Sequence, residues 1–447
     1  MVRNTNQADA SEDSDQDRET EYEMTRRRTV LKTGAAMIAG TAIAGCLGGN
    51  GDNGSNSSNG SNESGAGTSG GTDTSMGENG TTMDNGTTMG NGTSMENGTS
   101  MENGTSQGGD NGTSEEFGGT TVTSGETTNV AIVSSPAGFG DNAFNDLALD
   151  GLRSAATAEN ITINQVEETE QSQYQSVQAN LAQTGEYDLI ILVSFNHTEA
   201  LTQNAADYPD QNWMLINASI DEPNVAGYTW ANHQMSYLAG VAAGTMTTQD
   251  FSLGEVSTTP DSAQVGFVGG VDGSLINAFE RAYVAGAESV NEDVEVAVGY
   301  IGDFTDTATA ADIANSQYDG GADIVYHGAA AAGRGVFQAA QSQGRPAIGV
   351  DSDQSTTLPD FQDVIMGSAV KYINEGTREV ALAVANDNFE SVTGSNVLTL
   401  EDGAVDFTIG QAFEGELPDM LTQNIEDAKQ GIVDGDISVP CSASGCQ

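Results

Sequence analysis

From about Thr128 to Pro440, short apolar runs alternate with segments in which apolar residues recur at helical spacing. Continuous apolar runs of about four to eight residues indicate strands of a parallel sheet that is covered on both faces, and the segments between them indicate the covering helices. The predicted strands lie at residues 129–133, 161–166, 189–193, 213–216, 265–268, 294–300, 324–326 and 347–350. Helices are predicted at residues 141–157, 173–183, 235–247 and 275–290, and Asp141 is in position to cap the first of them.

The alternating pattern occurs in two successive units, which are too large together for one sheet. Each unit has the ordinary size of a domain. We therefore predict an α/β protein of two doubly wound parallel-sheet lobes. Ligands of such sheets bind beyond the carboxyl ends of the strands, so two lobes that face each other enclose one cleft.

The beginning of the chain has the features of an export signal. A run of arginines at positions 26–28 precedes an apolar stretch, Thr33 to Gly45, which is shorter than the roughly 20 residues that a membrane span needs. The stretch ends in Ile43-Ala44-Gly45-Cys46, which resembles a lipobox. We predict that residues 1–45 are a twin-arginine lipoprotein signal peptide and that Cys46 becomes lipidated on the extracellular face of the cell membrane.

A linker of Gly, Asn, Ser and Thr follows Cys46 and extends to residue 126. It has too few aliphatic residues to offset its chain entropy, so we predict that residues 46–126 are disordered. As a flexible coil it would hold the globular part roughly 50 Å from the anchor. Asn-Gly-Thr recurs in it, for example at Asn97 and Asn103, either as glycosylation acceptors or as a consequence of the low-complexity composition.

The chain carries 65 acidic and 13 basic side chains, which gives a formal net charge of −52. This charge argues against a nucleic-acid-binding protein, because such proteins neutralise phosphates with Lys and Arg. It also argues against attachment to anionic lipid through a basic face. The only lysines are Lys32, Lys371 and Lys429. An acidic surface that is poor in lysine suits a protein of an extreme halophile, since high salt screens self-repulsion.

Several segments of the globular part, taken in order, resemble the basic membrane protein family. The family consists of lipoproteins that serve as substrate-binding components of ABC transporters and bind purine nucleosides. The resemblance covers nearly all of residues 128–440 and depends on the order and spacing of the segments. These segments are Asp141-Asn142-Ala143-Phe144-Asn145, Gly266-Phe267-Val268-Gly269-Gly270, Tyr318 to Tyr326, Gly349-Val350-Asp351-Ser352-Asp353-Gln354 and Ser368-Ala369-Val370-Lys371.

The resemblance implies the type 1 periplasmic-binding-protein fold, in which three crossovers join the two lobes. The first lobe would then consist of residues 127–231 and 370–393, and the second of residues 232–369 and 394–440. Residues 441–447 would form a C-terminal tail. Closure of the lobes around a ligand would be a hinge motion, and the transporter would recognise the closed form.

The resemblance also implies most of the binding site. Phe144 matches a phenylalanine that stacks on the base, although it is equally well placed as the first core residue of its helix. Phe304, in a loop after a strand, would cover the other face of the base. Asp351 matches an aspartate that accepts hydrogen bonds from ribose hydroxyls, and Lys371 matches a ligand-contacting lysine that would orient it.

Four further positions complete the predicted site. Gly328 matches a glycine that lets backbone approach the ligand, and Asn142 belongs to the matched segment before Phe144. Ser135 and Asn217 stand where the family usually has aspartates. Asn donates as well as accepts hydrogen bonds, whereas an ionised Asp only accepts, so guanosine-like selectivity is not carried over.

We interpret the chain as the solute-binding lipoprotein of an ABC importer, which captures purine nucleosides and meets a membrane permease as its partner. The alternative is a membrane-tethered sensor of nucleosides or other small solutes with the same two lobes. No cofactor, metal site or enzymatic activity is indicated, since phosphate-loop, zinc and nucleophile-elbow motifs are missing from the sequence. Cys441 and Cys446 are either a disulfide or two free thiols.

Overall fold

The computed structural model describes residues 127–260 and 262–441. The predicted signal peptide, the lipidation site at Cys46, the linker before residue 127 and the tail after residue 441 all lie outside the described residues. Cys441 is disulfide-bonded. Within the described ranges, no helix is both long enough and apolar enough to cross a bilayer.

Strands and helices alternate over most of the described chain. The strands are β1 Thr128–Val133, β2 Ile161–Val166, β3 Leu189–Val193, β4 Trp213–Ile216, β5 Val225–Trp230, β6 Ser252–Leu253, β7 Val256–Ser257, β8 Gln264–Gly269, β9 Glu295–Tyr300, β10 Val325–Gly328, β11 Ala347–Asp351, β12 Ile365–Lys371, β13 Gly394–Leu398 and β14 Val405–Ile409. The α-helices are α1 Phe144–Ala158, α2 Tyr174–Thr184, α3 Thr198–Asp207, α4 Asn232–Met246, α5 Ser274–Val290, α6 Thr307–Asp319, α7 Arg334–Gln343, α8 Gln354–Thr357, α9 Ile373–Ala385 and α10 Asp419–Val433.

The first lobe contains a sheet with the strand order β13-β5-β4-β3-β1-β2. All neighbouring strands of this sheet run parallel. Every residue of β3, β4 and β5 is buried, which explains why β3 and β4 are continuous apolar runs in the sequence. Helix α9 packs on α1 of this lobe, and the approach is close enough that a Cβ on Gly151 would lie 2.2 Å from the backbone oxygen of Asn374.

The second lobe contains a sheet with the strand order β14-β12-β11-β10-β8-β9. Its strands run parallel except for β14, which pairs antiparallel with β12 at the edge. The predicted two-lobe α/β architecture is therefore confirmed, with one antiparallel edge strand that the sequence pattern did not indicate. Helix α4 is buried on nearly all sides, because it packs on α5, α10, β12 and β14.

The chain crosses between the lobes three times: after β5, after β12 and between β13 and β14. The predicted boundary at residue 394 is wrong, because β13 pairs with β5 in the first sheet. The predicted return at residue 370 is also early, since β12 continues in the second sheet to Lys371. The crossovers matter for the site because Asn232 and Lys371 lie directly beside two of them.

Helix α1 begins three residues later than the predicted start. Its first turn is nevertheless held by Asp141, whose Oδ1 accepts from the Ala143 N–H at 3.1 Å and whose Oδ2 accepts from the Asn145 N–H at 2.9 Å. Carboxylates satisfy the unpaired N–H groups of a helix start in this way. The buried Asp141 carboxyl has a pKa above its usual range, chiefly because burial disfavours its charged form.

Candidate functional site

One cleft lies where the carboxyl ends of strands from both sheets face each other. About 530 Å³ of space in it is free of protein atoms, a volume that includes space open to solvent. Its walls come from loops and helix starts of both lobes. The lining residues are Ser135, Pro136, Ala137, Phe144, Ser194, Phe195, Asn196, Asn217, Leu275, Ile276, Phe279, Phe304, Gly328, Ala329, Ala330, Val350, Asp351 and Lys371.

The polar centre of the cleft is the ion pair of Asp351 and Lys371. These residues end the neighbouring parallel strands β11 and β12. The Lys371 Nζ lies 3.0 Å from the Asp351 Oδ1, and the two side chains are only 2% and 8% exposed. The contact is an ion pair, and the buried Oδ1 accepts no hydrogen bond from the described residues. The pair is therefore charge-balanced, but the carboxylate can still accept a hydrogen bond.

The Lys371 ammonium is held by neighbours from several elements. It donates to the Asn232 Oδ1 at 3.2 Å. It also lies 5.0 Å from the ring centre of Phe144 in the first lobe and 5.6 Å from that of Phe279 in the second. Aromatic faces at this distance attract a cation, and more strongly where water is excluded. Lys371 thus links the two walls of the cleft.

Phe304 reaches the cleft from the loop between β9 and α6. The loop is braced by Asp303, whose Oδ1 accepts from the Thr305 N–H at 2.5 Å and the Asp306 N–H at 3.1 Å. The Phe304 ring lies against Gly270, where a Cβ would come within 2.3 Å of the ring. A glycine at position 270 is therefore required for Phe304 to occupy this place.

The turn that carries Ser135 is fixed from α1. The buried Asn145 accepts from the Ser135 N–H through Oδ1 at 2.8 Å and donates through Nδ2 to the Ser135 Oγ at 2.8 Å. The same Nδ2 donates to the Asp141 Oδ2 at 2.8 Å. The buried network places a neutral hydroxyl at the first-lobe wall of the cleft.

Asn217 follows β4 at the same wall. Its backbone N–H donates to the Tyr228 oxygen at 2.8 Å. Its φ of 65° lies in the left-handed region, which asparagine adopts more readily than most residues. The Asn217 Oδ1 is buried and has no hydrogen-bond partner among the described residues. This oxygen is therefore a free acceptor at the edge of the cleft.

Gly328 ends β10 on the floor of the cleft, directly after the buried His327. A Cβ at Gly328 would lie 3.3 Å from Phe279, so a side chain there would press on the wall of the cleft. The His327 Nε2 lies 3.0 Å from the Gln354 Oε1. Burial lowers the pKa of His327 to about 4, so the ring is neutral at pH 7 and donates this hydrogen bond from Nε2.

The part of the chain that forms both lobes matches a known protein family. The model of the PnrA-like ABC transporter substrate-binding proteins, called Bmp, matches residues 128–443. This match spans both lobes and all the lining residues. The chain belongs to this family. The resemblance that the sequence segments indicated is thereby confirmed, and the protein is an ABC transporter substrate-binding protein.

Individual relatives agree with the family assignment. A Lactococcus lactis protein named "ABC transporter nucleoside-binding protein BmpA" is 30% identical over 334 residues, which cover 69% of this chain and 88% of that protein. "Basic membrane protein A1" of Borrelia garinii is 28% identical over 314 residues, which cover 68% of this chain and 85% of that protein.

Solved structures of solute-binding proteins share the fold. One from Aeropyrum pernix superposes with a TM-score of 0.62 at 23% identity and covers 71% of this chain and 94% of its own. One from Conexibacter woesei gives a TM-score of 0.56 at 22% identity and covers 70% and 99%. At these identities the likeness establishes the fold alone, and it agrees with the predicted type 1 periplasmic-binding-protein fold.

The structure brings seven of the eight predicted site residues to the cleft, and these are Ser135, Phe144, Asn217, Phe304, Gly328, Asp351 and Lys371. Asn142 does not line the cleft. Its Nδ2 donates to the Gly140 oxygen at 3.2 Å. Its backbone oxygen accepts hydrogen bonds from the hydroxyl groups of Ser352 and Thr357 in the other lobe. A ligand contact at Asn142 therefore stays a prediction, and it has no support from the lining of the cleft.

Several contributors to the site were not predicted from the sequence, and four of them show why. Phe195 and Asn196 line the cleft directly after β3, and their place at the carboxyl end of a predicted strand was a usable signal. Phe279 follows the apolar periodicity of α5, so the sequence pattern alone indicates a core residue. Asn232 holds Lys371 from a position far away in the sequence, and no local pattern indicates this contact.

Within residues 127–260 and 262–441, no group of three or more His, Cys, Asp or Glu side chains is arranged to hold a metal ion. Among the lining residues, Asp351 and Lys371 are the charged ones, and they neutralise each other. The cleft therefore offers hydrogen-bonding groups and aromatic faces rather than a net charge.

Proposed function

We propose that the protein captures nucleosides, purine nucleosides above all, in the cleft between its lobes. The main support is the Asp351 carboxylate, which is buried beside Lys371 and has an oxygen that accepts no hydrogen bond from the described residues. Neighbouring hydroxyl groups of a ribose are suitable donors to such a carboxylate, and charge-assisted hydrogen bonds are the stronger kind. Phe144 and Phe304 supply aromatic faces for a flat base.

The charge of the lining favours nucleosides over nucleotides. A phosphate group would need cations or several free N–H donors. Lys371 is the one cationic side chain among the lining residues, and it is committed to Asp351. A phosphorylated ligand would have to compete with that carboxylate, so a neutral ligand fits the cleft better.

The first-lobe wall suits a purine base. Ser135, Asn196 and Asn217 are neutral, and together they can both donate and accept hydrogen bonds. An amide at Asn217 can pair with the amino and ring-nitrogen edge of adenine as well as with the edge of guanine or hypoxanthine. The relative from L. lactis carries a nucleoside-binding name, which supports the same ligand class.

The N-terminal sequence supports an extracellular, anchored role. We propose that the twin-arginine signal exports the chain, that Cys46 is lipidated, and that the linker leaves the lobes free to reach an ABC permease for import. The net charge of −52 supports a habitat of very high salt. A Cys46→Ser variant should move the protein from the membrane fraction into the medium, and unchanged fractionation would contradict the anchor.

A thermal-shift panel in multimolar KCl tests the ligand. Adenosine, guanosine and inosine at about 100 times their dissociation constants should add about 2.7 kcal/mol of stability and raise the melting temperature by several degrees. Free bases, ribose and nucleoside monophosphates serve as matched controls, and their shifts should be smaller. Equal shifts with monophosphates would contradict the neutral-ligand argument, and no shift with any nucleoside would refute the ligand class.

A further inference from the structure

Two hydroxyl groups of the second lobe share one backbone acceptor of the first lobe. The Ser352 Oγ lies 3.1 Å and the Thr357 Oγ1 lies 2.9 Å from the Asn142 oxygen. The two hydroxyl oxygens are 3.3 Å apart. We propose that these three groups form a latch that stabilises the closed form of the cleft without touching the solute.

On the second lobe, the latch is attached rigidly to the floor of the cleft. Ser352 directly follows Asp351. The Gln354 Oε1 accepts from the Val350 N–H at 2.8 Å and from the His327 Nε2 at 3.0 Å, and the Gln354 N–H donates to the Ser368 Oγ at 3.1 Å. The turn that carries the hydroxyls is thus fixed to β10, β11 and β12, and cannot move independently of them.

On the first lobe, the acceptor is attached to the turn before Phe144. The Asn142 N–H donates to the Asp146 Oδ2 at 2.9 Å, and the Gly140 N–H donates to the Asp146 Oδ1 at 2.8 Å. Asn142 has a φ of 56°, a conformation that is available to asparagine at low cost. The latch therefore forms when Phe144 of the first lobe and Asp351 of the second lobe face each other across the cleft, as they do in the closed form.

The latch has a property that ion pairs between lobes would lack. Its donors and acceptor are uncharged, so dissolved salt does not screen them. The two lobes of an acidic protein repel each other at low ionic strength, and neutral hydrogen bonds oppose that repulsion at any salt concentration. The latch needs only the substrate-binding role of the family and does not depend on which solute is bound.

The test compares the full-length Ser352→Ala/Thr357→Val variant with a matched Thr356→Val control. Thr356 lies on the same short helix, and its Oγ1 donates to the Asp353 oxygen within its own turn at 2.7 Å. Opening is measured without solute as the rate at which acetic anhydride labels Lys371, by mass spectrometry. Lys371 is only 2% exposed in the closed cleft, and Lys429, which is 20% exposed, is the internal reference.

In the double variant, Lys371 should be labelled up to about tenfold faster than in the control. The reason is that two weak neutral hydrogen bonds together correspond to about a tenfold change in the equilibrium between the open and closed forms. Nucleoside affinity, measured by calorimetry, should fall by a similar factor. A Thr357→Ser variant keeps a hydroxyl, so Lys371 should be labelled in it at nearly the wild-type rate. This result would exclude a folding defect caused by substitution at position 357.

Equal labelling of Lys371 in the double variant and the control would overturn the latch. A loss of affinity without faster labelling would also overturn it, since the hydroxyls would then act on the solute directly. If no nucleoside binds to the wild type, the ligand proposal fails, but the labelling rates still decide the latch.

Discussion

Replacing Asp351 and Lys371 singly and together separates their contribution to stability from their contribution to binding. Both side chains are almost completely buried, with a separation of 3.0 Å between the Nζ and Oδ1 atoms. Removing one member of a buried pair leaves an uncompensated charge and costs about 3–5 kcal/mol, whereas replacing both by neutral groups of similar size is often close to neutral.

The structure sets where each variant should lie in that range. In Asp351→Asn, the Lys371 ammonium keeps the Asn232 Oδ1 and the faces of Phe144 and Phe279, so we expect a loss of about 3 kcal/mol. In Lys371→Met, the carboxylate loses its cation and has no hydrogen-bond donor at Oδ1, so we expect about 4–5 kcal/mol. The double variant should lie within about 2 kcal/mol of the wild type.

Urea unfolding of the ligand-free protein in multimolar KCl measures these free energies, and calorimetry measures nucleoside binding. All three variants should bind nucleosides weakly, although the double variant is stable. Asp150→Asn is the matched control, since Asp150 and Arg153 form a pair that is 61% and 59% exposed and worth little. The reasoning is refuted if Asp351→Asn is no less stable than Asp150→Asn, or if the double variant loses the sum of the single losses.

Further predictions concern the support of the cleft. Gly270→Ala should displace Phe304, because the new Cβ would lie 2.3 Å from its ring. Calorimetry should then show about tenfold weaker nucleoside binding, and an unchanged affinity would contradict a ligand contact at Phe304. Asn145→Ala removes both hydrogen bonds to Ser135 and should lower the unfolding free energy by about 2–3 kcal/mol, which urea unfolding would detect. Because the pKa of His327 falls to about 4 in the folded state, stability should decrease as the pH falls from about 6.5 to 4, by up to about 3 kcal/mol; a His327→Gln variant with the same pH dependence would refute this contribution.

The sequence predicted several of the strands that end at the cleft because they are buried on both faces, although β12, which is also buried and carries Lys371, was not among them. β3, β4 and β11 are continuous apolar runs, so the positions just beyond them were visible without a structure. Asp351 and Asn217 lie at the ends of such runs, and the family resemblance is what singled them out as site residues. Lys371 was found because lysine is rare in the chain and because of the family resemblance.

Other features could not be predicted because they depend on long-range contacts. β13 alternates between partly buried and exposed positions at the edge of the first sheet, so its short pattern does not tell which lobe it joins. The contact of Asn232 with Lys371 spans 139 positions, and that of Ser352 with Asn142 spans 210. Only the three crossovers bring such residues together.

The position of the ion pair relative to the crossovers suggests an order of events in binding. Lys371 ends β12 immediately before the chain crosses to the first lobe, and Asn232 begins α4 immediately after an earlier crossover. Groups beside a hinge move least when the lobes rotate, so we expect the Lys371–Asn232 contact to persist in the open form. The polar centre would then be pre-organised for the hydroxyl groups of a solute, while the wall of Phe144 and the latch at Asn142 assemble only on closure. Since pre-organised groups require little ordering on binding, recognition of the sugar would precede enclosure of the base.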